Sequence, residues 1–417
     1  MKSQKPKEFF NEPNVIMIRN YPAARFLASR GQESLEGGLQ YSVNMNKYIV
    51  SLMMLSFSFN CGSTMDPLIK DLLTPIPQIG EKCGYESCPA VRNGWINVHI
   101  APHSHAELGY TNTFAEHYTG DDDFFQKSRI NMKQVLDATI SELWADKRRK
   151  FTLSDSELPY FFHWWSRRHN TVRRMVYELI RQGRLMFIGG GWGMADEASS
   201  YYQSVIDSFT YSLRKIDSTF LTCGRPLVAW QADTFGHSKE FASLIAQMGY
   251  DGLFINPISF DDEIIRMERK GLDFVWRGSD DLGPETDIYT NKLFDGYWSP
   301  PGFCFGSMCS DPLLITSDSL FSNINERVDL FIDSIVHRQA PSYSTNQVLV
   351  VMGQRMGYFN AKIWFDNIDK LIDHVNKKTY KDGHKVHVMY SSPACYLKAV
   401  HDEKLSVLLC LRLVSVC

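Results

Sequence analysis

Neither sign of charge dominates this chain of 417 residues: 44 Lys and Arg stand against 47 Asp and Glu, for a net charge of −3 at neutral pH. That balance excludes the broad electropositive surface by which proteins hold nucleic acid or anionic lipid, and no nucleic-acid partner is expected. No uninterrupted apolar run reaches the ~20 residues a bilayer span needs, so no stable membrane span is expected either. Internal repeats and a phosphate-binding loop are missing. The glycines of Gly189-Gly-Gly-Trp-Gly193 follow an apolar run but lack the G-x-G-x-x-G spacing of a dinucleotide fingerprint. There is no C-x2-C pair and no Asn-x-Ser/Thr sequon.

What is present is a globular composition. Apolar residues make up 44% of the chain and aromatics 13%, enough for one large or two ordinary domains. Nine cysteines include two C-x4-C spacings, Cys83/Cys88 and Cys304/Cys309. A four-residue gap is loose for structural zinc, which favours disulfides, either within each pair or as halves of separate bridges. The stretch 48–59 is an apolar run of signal-peptide length, preceded by Met45-Asn-Lys47 and followed by small residues. It divides the chain into an extra extension over 1–44, a signal-like segment over 45–63 and an entry segment over 64–94. The competing reading of 48–59 is a buried strand or helix at a domain edge. A second apolar run, 405–417, reads as a final strand or an exposed tail after a domain spanning 95–400, and the tail is placed at 401–417.

Between these ends, short β-branched runs alternate with longer amphipathic ones. Strands are expected at 96–101, 151–154, 185–188, 227–232, 252–256, 348–352 and 386–390. Helices are expected at 125–145, 171–182, 202–213, 239–248 and 361–377. This alternation predicts an α/β fold with a mostly parallel sheet and flanking helices. The less periodic, Pro- and Gly-containing stretch 256–342 reads as long excursions. In parallel sheets the ligand lies beyond the carboxyl ends of the strands, which directs attention to residues just after 101, 188, 232 and 352.

After the first strand comes Pro102-His-Ser-His-Ala-Glu-Leu-Gly-Tyr110. His105 and Glu107, two apart, project to one side of an extended segment and offer nitrogen and oxygen suited to zinc. After a later strand comes Ala229-Trp-Gln-Ala-Asp-Thr-Phe-Gly-His-Ser238. Asp233 there can act as a nucleophile or complete a metal site; the competing reading makes it the cap of the next helix.

This segment, with Val98-His-Ile-Ala-Pro-His-Ser-His105, Gly190-Gly-Trp-Gly-Met-Ala-Asp-Glu-Ala198, Trp364-Phe-Asp-Asn-Ile-Asp-Lys-Leu371 and Ser391-Ser-Pro-Ala-Cys-Tyr-Leu397, resembles the catalytic domain of the glycoside hydrolase family 38 α-mannosidases. The resemblance runs in one register from about Cys83 to Leu397. It implies a retaining hydrolase that removes α-linked mannose from N-glycans with one zinc ion, in the secretory pathway and the lysosome. Asp233 takes the nucleophile position, and His105, Glu107 and Asp233 take zinc-ligand positions. Tyr110, Phe235, Arg277 and Tyr297 fall at sugar-pocket positions, and Cys88/Cys395 and Cys304/Cys309 match family disulfides.

The sequence departs from the family pattern in three places. Glu107 stands where the family has Asp, shifting the carboxylate by up to about 1.5 Å, one C–C bond. Arg355, in Met352-Gly-Gln-Arg-Met356, occupies the place of the acid/base Asp, and a guanidinium does not exchange protons near neutral pH. The family's fourth zinc ligand, a His, and its helical-bundle and β-sandwich domains belong to positions beyond residue 417. Three expectations follow: an active zinc mannosidase, a truncated pseudoenzyme that keeps the fold, or a zinc deacetylase-like hydrolase, the last disfavoured by the length of the collinear match.

Overall fold

A computed structural model describes residues 14–15, 82–109, 112–120, 130–198, 200–234, 236–306, 309–316, 321–378, 380–381, 384–403 and 406–410. All of them belong to one compact unit. The expected signal-like segment, and the extension before it apart from residues 14–15, lie outside the described residues, as do Tyr110 and Phe235.

The strands are β1 (Asn14–Val15), β2 (Ile96–Pro102), β3 (Phe151–Leu153), β4 (Leu185–Phe187), β5 (Val228–Ala232) and β6 (Gly252–Asn256). They continue as β7 (Asp273–Arg277), β8 (Asp287–Lys292), β9 (Gln347–Met352), β10 (Tyr380–Lys381), β11 (His384–Tyr390) and β12 (Ser406–Cys410). The helices are α1 (Phe114–Thr119), α2 (Met132–Ala145), α3 (Leu158–Ser166), α4 (Asn170–Arg181) and α5 (Tyr202–Phe220). After them come α6 (Lys239–Gln247), α7 (Phe260–Glu268), α8 (Ile324–Asp333), α9 (Ala361–Lys378) and α10 (Pro393–Asp402).

Three sheets result, ordered β10-β11-β2-β9, β3-β4 and β1-β12-β7-β8-β6-β5. Pairing is parallel for β11/β2, β2/β9, β3/β4, β5/β6, β6/β8 and β12/β7. It is antiparallel at β1/β12, β10/β11 and β7/β8. The mixed, mostly parallel architecture matches the expectation from alternation.

Every residue of β2, β5 and β9 is buried. Successive side chains on a strand point to opposite faces. In β9, Val348, Val350 and Met352 accordingly enter one core while Leu349 and Val351 enter the other. A strand covered on both faces is mostly apolar, its buried polar members here being Asn97, His99, Gln231 and Gln347, which is why these runs read as nearly continuous rather than alternating. On one face α9 lays Ala361, Trp364, Phe365, Ile368, Leu371 and Val375 into the core, spaced three or four apart. Its polar side meets the buried Arg149, whose guanidinium is shared among Glu142, Asp366 and Asp369.

Differences from expectation have local causes. The described part of the first long helix begins at Met132, where the Asn131 side chain accepts from the Gln134 amide at 3.0 Å and caps it. The supposed excursion over 256–342 contains the β7/β8 pair and helices α7 and α8. In β8 the buried Asn291 and Tyr289 both donate to Asp273 of β7, so this buried carboxylate is satisfied within a sheet interior. The apolar run after residue 405 takes its strand alternative over Ser406–Cys410, with Leu408–Cys410 beside Phe274–Trp276.

Disulfides join Cys83 to Cys223, Cys88 to Cys395 and Cys304 to Cys309. The first C-x4-C thus splits into separate bridges, and the second closes on itself.

Candidate active site

The carboxyl ends of β2 and β9 are tied to each other and to β3, and that of β4 to the start of β5, beyond the regular pairing. β2 continues past Pro102 through a bridge from His103 to Thr152 of β3 and another from His105 to Arg355. The Gly189 amide, after β4, donates to Val228 of β5 at 2.9 Å. Gly353 is required at the turn after β9, because a Cβ there would lie 2.1 Å from the His103 carbonyl oxygen. The segments after β2 and β9 therefore converge, and Asp233, after β5, joins them 3.4 Å from His105, which is where a parallel sheet presents its ligand.

His105, Glu107 and Asp233 meet at this rim, each offering one ligand atom within 4.8 Å of the others. His105 Nε2 lies 3.4 Å from Asp233 Oδ2. The His105 ring is fully buried, yet neither of its nitrogens has a hydrogen-bond partner among the described residues. An imidazole so placed is costly unless a further group takes its lone pair. Zinc is such a group, and one nitrogen with carboxylate oxygens is a donor set that suits it. The residues present therefore fit a zinc ion.

Asp233 is held in an unusual backbone conformation, φ +91°, that side-chain-bearing residues seldom adopt. Its amide donates to the Asn256 carbonyl at 2.8 Å. Its side chain is 41% exposed, so it is reachable from solvent. It is not a helix cap: Ser238 caps α6, accepting from the Phe241 amide at 3.0 Å. The His105 imidazole beside it, with the Tyr297 hydroxyl and the Arg355 guanidinium, holds the Asp233 carboxyl below its ordinary range, outweighing partial burial. An ionised carboxylate is what both a nucleophile and a metal ligand require.

Tyr297 joins the cluster. Its hydroxyl donates to Asp233 Oδ2 at 3.2 Å and its ring stacks on His105 at 4.2 Å and 18°. Burial first, then the Asp233 charge, pushes its phenol up, so it remains a donor. The buried His103, unremarked in the sequence, lies between two carbonyls, Nδ1 3.0 Å from that of Ser104 and Nε2 2.8 Å from that of Tyr297, and as a neutral ring gives its one N–H to one of them.

Arg355 also arrives here. Its Nη2 donates to Glu107 Oε2 at 2.6 Å. Arg277 is placed differently: at the end of β7 it forms a two-pronged ion pair with Asp287, at 2.8 and 2.9 Å, rather than with the cluster.

Two further carboxylates near the strand ends have structural roles. Glu197 Oε1 accepts from the Ser238 amide and hydroxyl and from Gln231 Nε2, while Gln231 Oε1 meets His237 Nδ1 at 2.7 Å, so the loop carrying Asp233 is tied at its far end. Glu157 is buried in a capping box with Ser154. The signal that could have revealed Glu197 is its place after β4, one of the strand ends already marked as a site position.

The sequence profile described as the glycosyl hydrolases family 38 N-terminal domain matches residues 95–409. The chain belongs to that family. The match takes in the beginning of the last apolar run, which the motif comparison had left outside the resemblance. Among its relatives is the lysosomal alpha-mannosidase of Homo sapiens, 41% identical over 325 residues, covering 78% of this chain and 32% of that protein. Others are the lysosomal alpha-mannosidases of Cavia porcellus, 39% identical over 78% of this chain and 32% of that protein, and Dictyostelium discoideum, 33% identical over 77% and 31%. The chain thus spans about a third of the length of these relatives. A solved alpha-mannosidase from Enterococcus faecalis V583 shares the fold at TM-score 0.55 and 17% identity, covering 76% of this chain and 30% of that one.

Proposed function

We propose that the chain carries the nucleophile-bearing part of a zinc-dependent, retaining α-mannosidase that takes terminal α-linked mannose of N-glycans. The observation that carries this reading is the meeting, 3.4 Å apart at one rim, of the solvent-reachable Asp233 carboxylate with the buried imidazole of His105, whose nitrogens have no hydrogen-bond partner of good geometry among the described residues. Asp233 attacks the anomeric carbon, forming a covalent mannosyl ester as the glycosidic bond breaks and the leaving oxygen takes a proton from water, and a second water then hydrolyses the ester to mannose and frees Asp233. Tyr297 orients it by hydrogen bond and, by stacking, fixes the plane of His105. His105, Glu107 and Asp233 would hold the zinc, which supplies positive charge beside the sugar hydroxyls. Tyr110 and Phe235 remain assigned to the sugar pocket by motif position, as does Arg277.

The second reading, an impaired hydrolase, is favoured by a specific observation. At the acid/base position Arg355 offers no proton, and its guanidinium is directed at Glu107. A missing general acid/base costs about 10²–10⁴-fold. The chain as it stands is therefore proposed to bind α-mannosides and turn them over slowly. The disulfides Cys88–Cys395 and Cys83–Cys223 suit an oxidising compartment, in keeping with a secretory or lysosomal route. Among the described residues no helix is long and apolar enough to cross a membrane.

Chromophore release from an aryl α-mannoside tests the reading, with Asp233→Asn as the blank. Release should rise at least a hundredfold on replacing Arg355→Asp together with Glu107→Asp. A rate that stays at the Asp233→Asn background in both forms contradicts the assignment.

A further inference from the structure

The cation nearest Glu107 is one the chain supplies itself. Arg355 Nη2 sits 2.6 Å from Glu107 Oε2, with the guanidinium 36% and the carboxylate 16% exposed. The placement is fixed by backbone on both sides: the His105 amide donates to the Gln354 carbonyl at 3.3 Å and the Met356 amide to the His105 carbonyl at 2.8 Å. Met356 bends away at φ +51°, so the chain turns immediately after delivering Arg355. A guanidinium keeps its charge across the physiological range, and its bond to a carboxylate is among the stronger hydrogen bonds.

We propose that Arg355 is a built-in counter-cation that competes with a divalent metal for the Glu107 carboxylate, so that the Glu107–Arg355 pair sets zinc affinity. This rests on the reading that His105, Glu107 and Asp233 hold zinc. A metal drawing on Glu107 must share its carboxylate with a fixed positive charge and accept the repulsion of that charge at close range. Arg355 is therefore a tuning residue for occupancy, in addition to being an inert substitute for an acid.

The test is zinc affinity of the full chain, without sugar, measured by competition against a fluorescent chelator. Arg355→Gln keeps the backbone pairing and a hydrogen-bonding side chain but removes the charge; it should bind one zinc at least tenfold more tightly than the parent. Arg355→Lys keeps the charge and should stay within about threefold of the parent. Thermal unfolding without metal confirms that both variants fold. Equal or weaker affinity in Arg355→Gln overturns the competition. Adding His105→Ala to Arg355→Gln should abolish the gain; if the gain survives, the metal sits elsewhere and the zinc reading of the site fails with it. No zinc binding by parent or variant likewise overturns both, whereas equal binding that His105→Ala abolishes overturns the competition alone.

Discussion

Asp155 and Glu157, just past β3, give this fold a pH signature that can be worked out from the structure. Both are buried, and among the described residues each carboxyl has one oxygen with no hydrogen-bond partner of good geometry: Asp155 Oδ2 and Glu157 Oε1. Burial pushes both up to about 8. The folded chain thus holds two protons that the unfolded chain has released by about pH 5, so their contribution is complete in acid and is lost as pH rises toward 8. His99, His103 and His237 run the other way: burial lowers each to about 4, so their contribution is complete above about 6.5 and is lost as pH falls toward 4. Each proton of difference changes stability by about 1.4 kcal/mol per pH unit. Between pH 5 and 6 three histidines oppose two carboxyls and stability rises with pH by about one proton's worth. Between pH 7 and 8 each carboxyl holds about three-quarters of a proton more than in the unfolded chain, while the unfolded histidines still hold about a third of a proton in all, so stability falls by about 1.5 kcal/mol per unit, with a maximum near pH 6. Replacing Asp155→Asn and Glu157→Gln together should flatten the alkaline fall. At a urea slope of about 3 kcal/mol/M, the parent midpoint should drop by about 0.5 M from pH 7 to 8 while the double variant stays nearly level. Tryptophan fluorescence in urea at pH 5, 6, 7 and 8 reads this directly. A parent that is flat above pH 7, or a double variant that keeps the fall, shows the carboxyls to be ionised in the folded chain.

Other perturbations follow from named contacts. Removing the Cys88–Cys395 bridge, which spans 307 residues, with Cys88→Ser and Cys395→Ser should cost about 2–5 kcal/mol, read as a lower urea midpoint. Trp364→Ala, at a buried ring stacked 4.8 Å from Tyr358, should cost about 3–5 kcal/mol, with a matching fall in melting temperature. Glu197→Ala unties the Asp233 loop by removing the acceptor of the Ser238 amide, at about 1–3 kcal/mol; hydrogen exchange should accelerate over 236–239 while β9 stays protected.

The parts of the fold that sequence revealed are those whose signal is local. β2, β5 and β9 announce themselves as short apolar runs because both their faces are covered, and α9 by the spacing of its buried face. β7 and β8 did not, because Asp273, Thr290 and Asn291 are polar residues made tolerable only by partners such as Tyr289 and Tyr396. α3, Leu-Pro-Tyr-Phe-Phe-His-Trp-Trp-Ser, is apolar on nearly every side, so no period marks it. Of the residues that cluster at the rim, His105, Glu107 and Asp233 were legible as residue types at strand ends, whereas Tyr297 came only from the family resemblance. What stayed hidden was the consequence of β2 lying beside β9. That adjacency carries Arg355 onto Glu107, two residues 248 apart in sequence, and no spacing rule joins them.

The most direct measurement is X-ray absorption at the zinc edge of the metal-loaded full chain. One imidazole nitrogen with oxygen neighbours at about 2.0–2.2 Å, and loss of that nitrogen in His105→Ala, is the expected outcome. Sulfur neighbours at about 2.3 Å, or a spectrum unchanged by His105→Ala and Asp233→Asn, would mean that the ends of β2 and β5 do not form a common metal site.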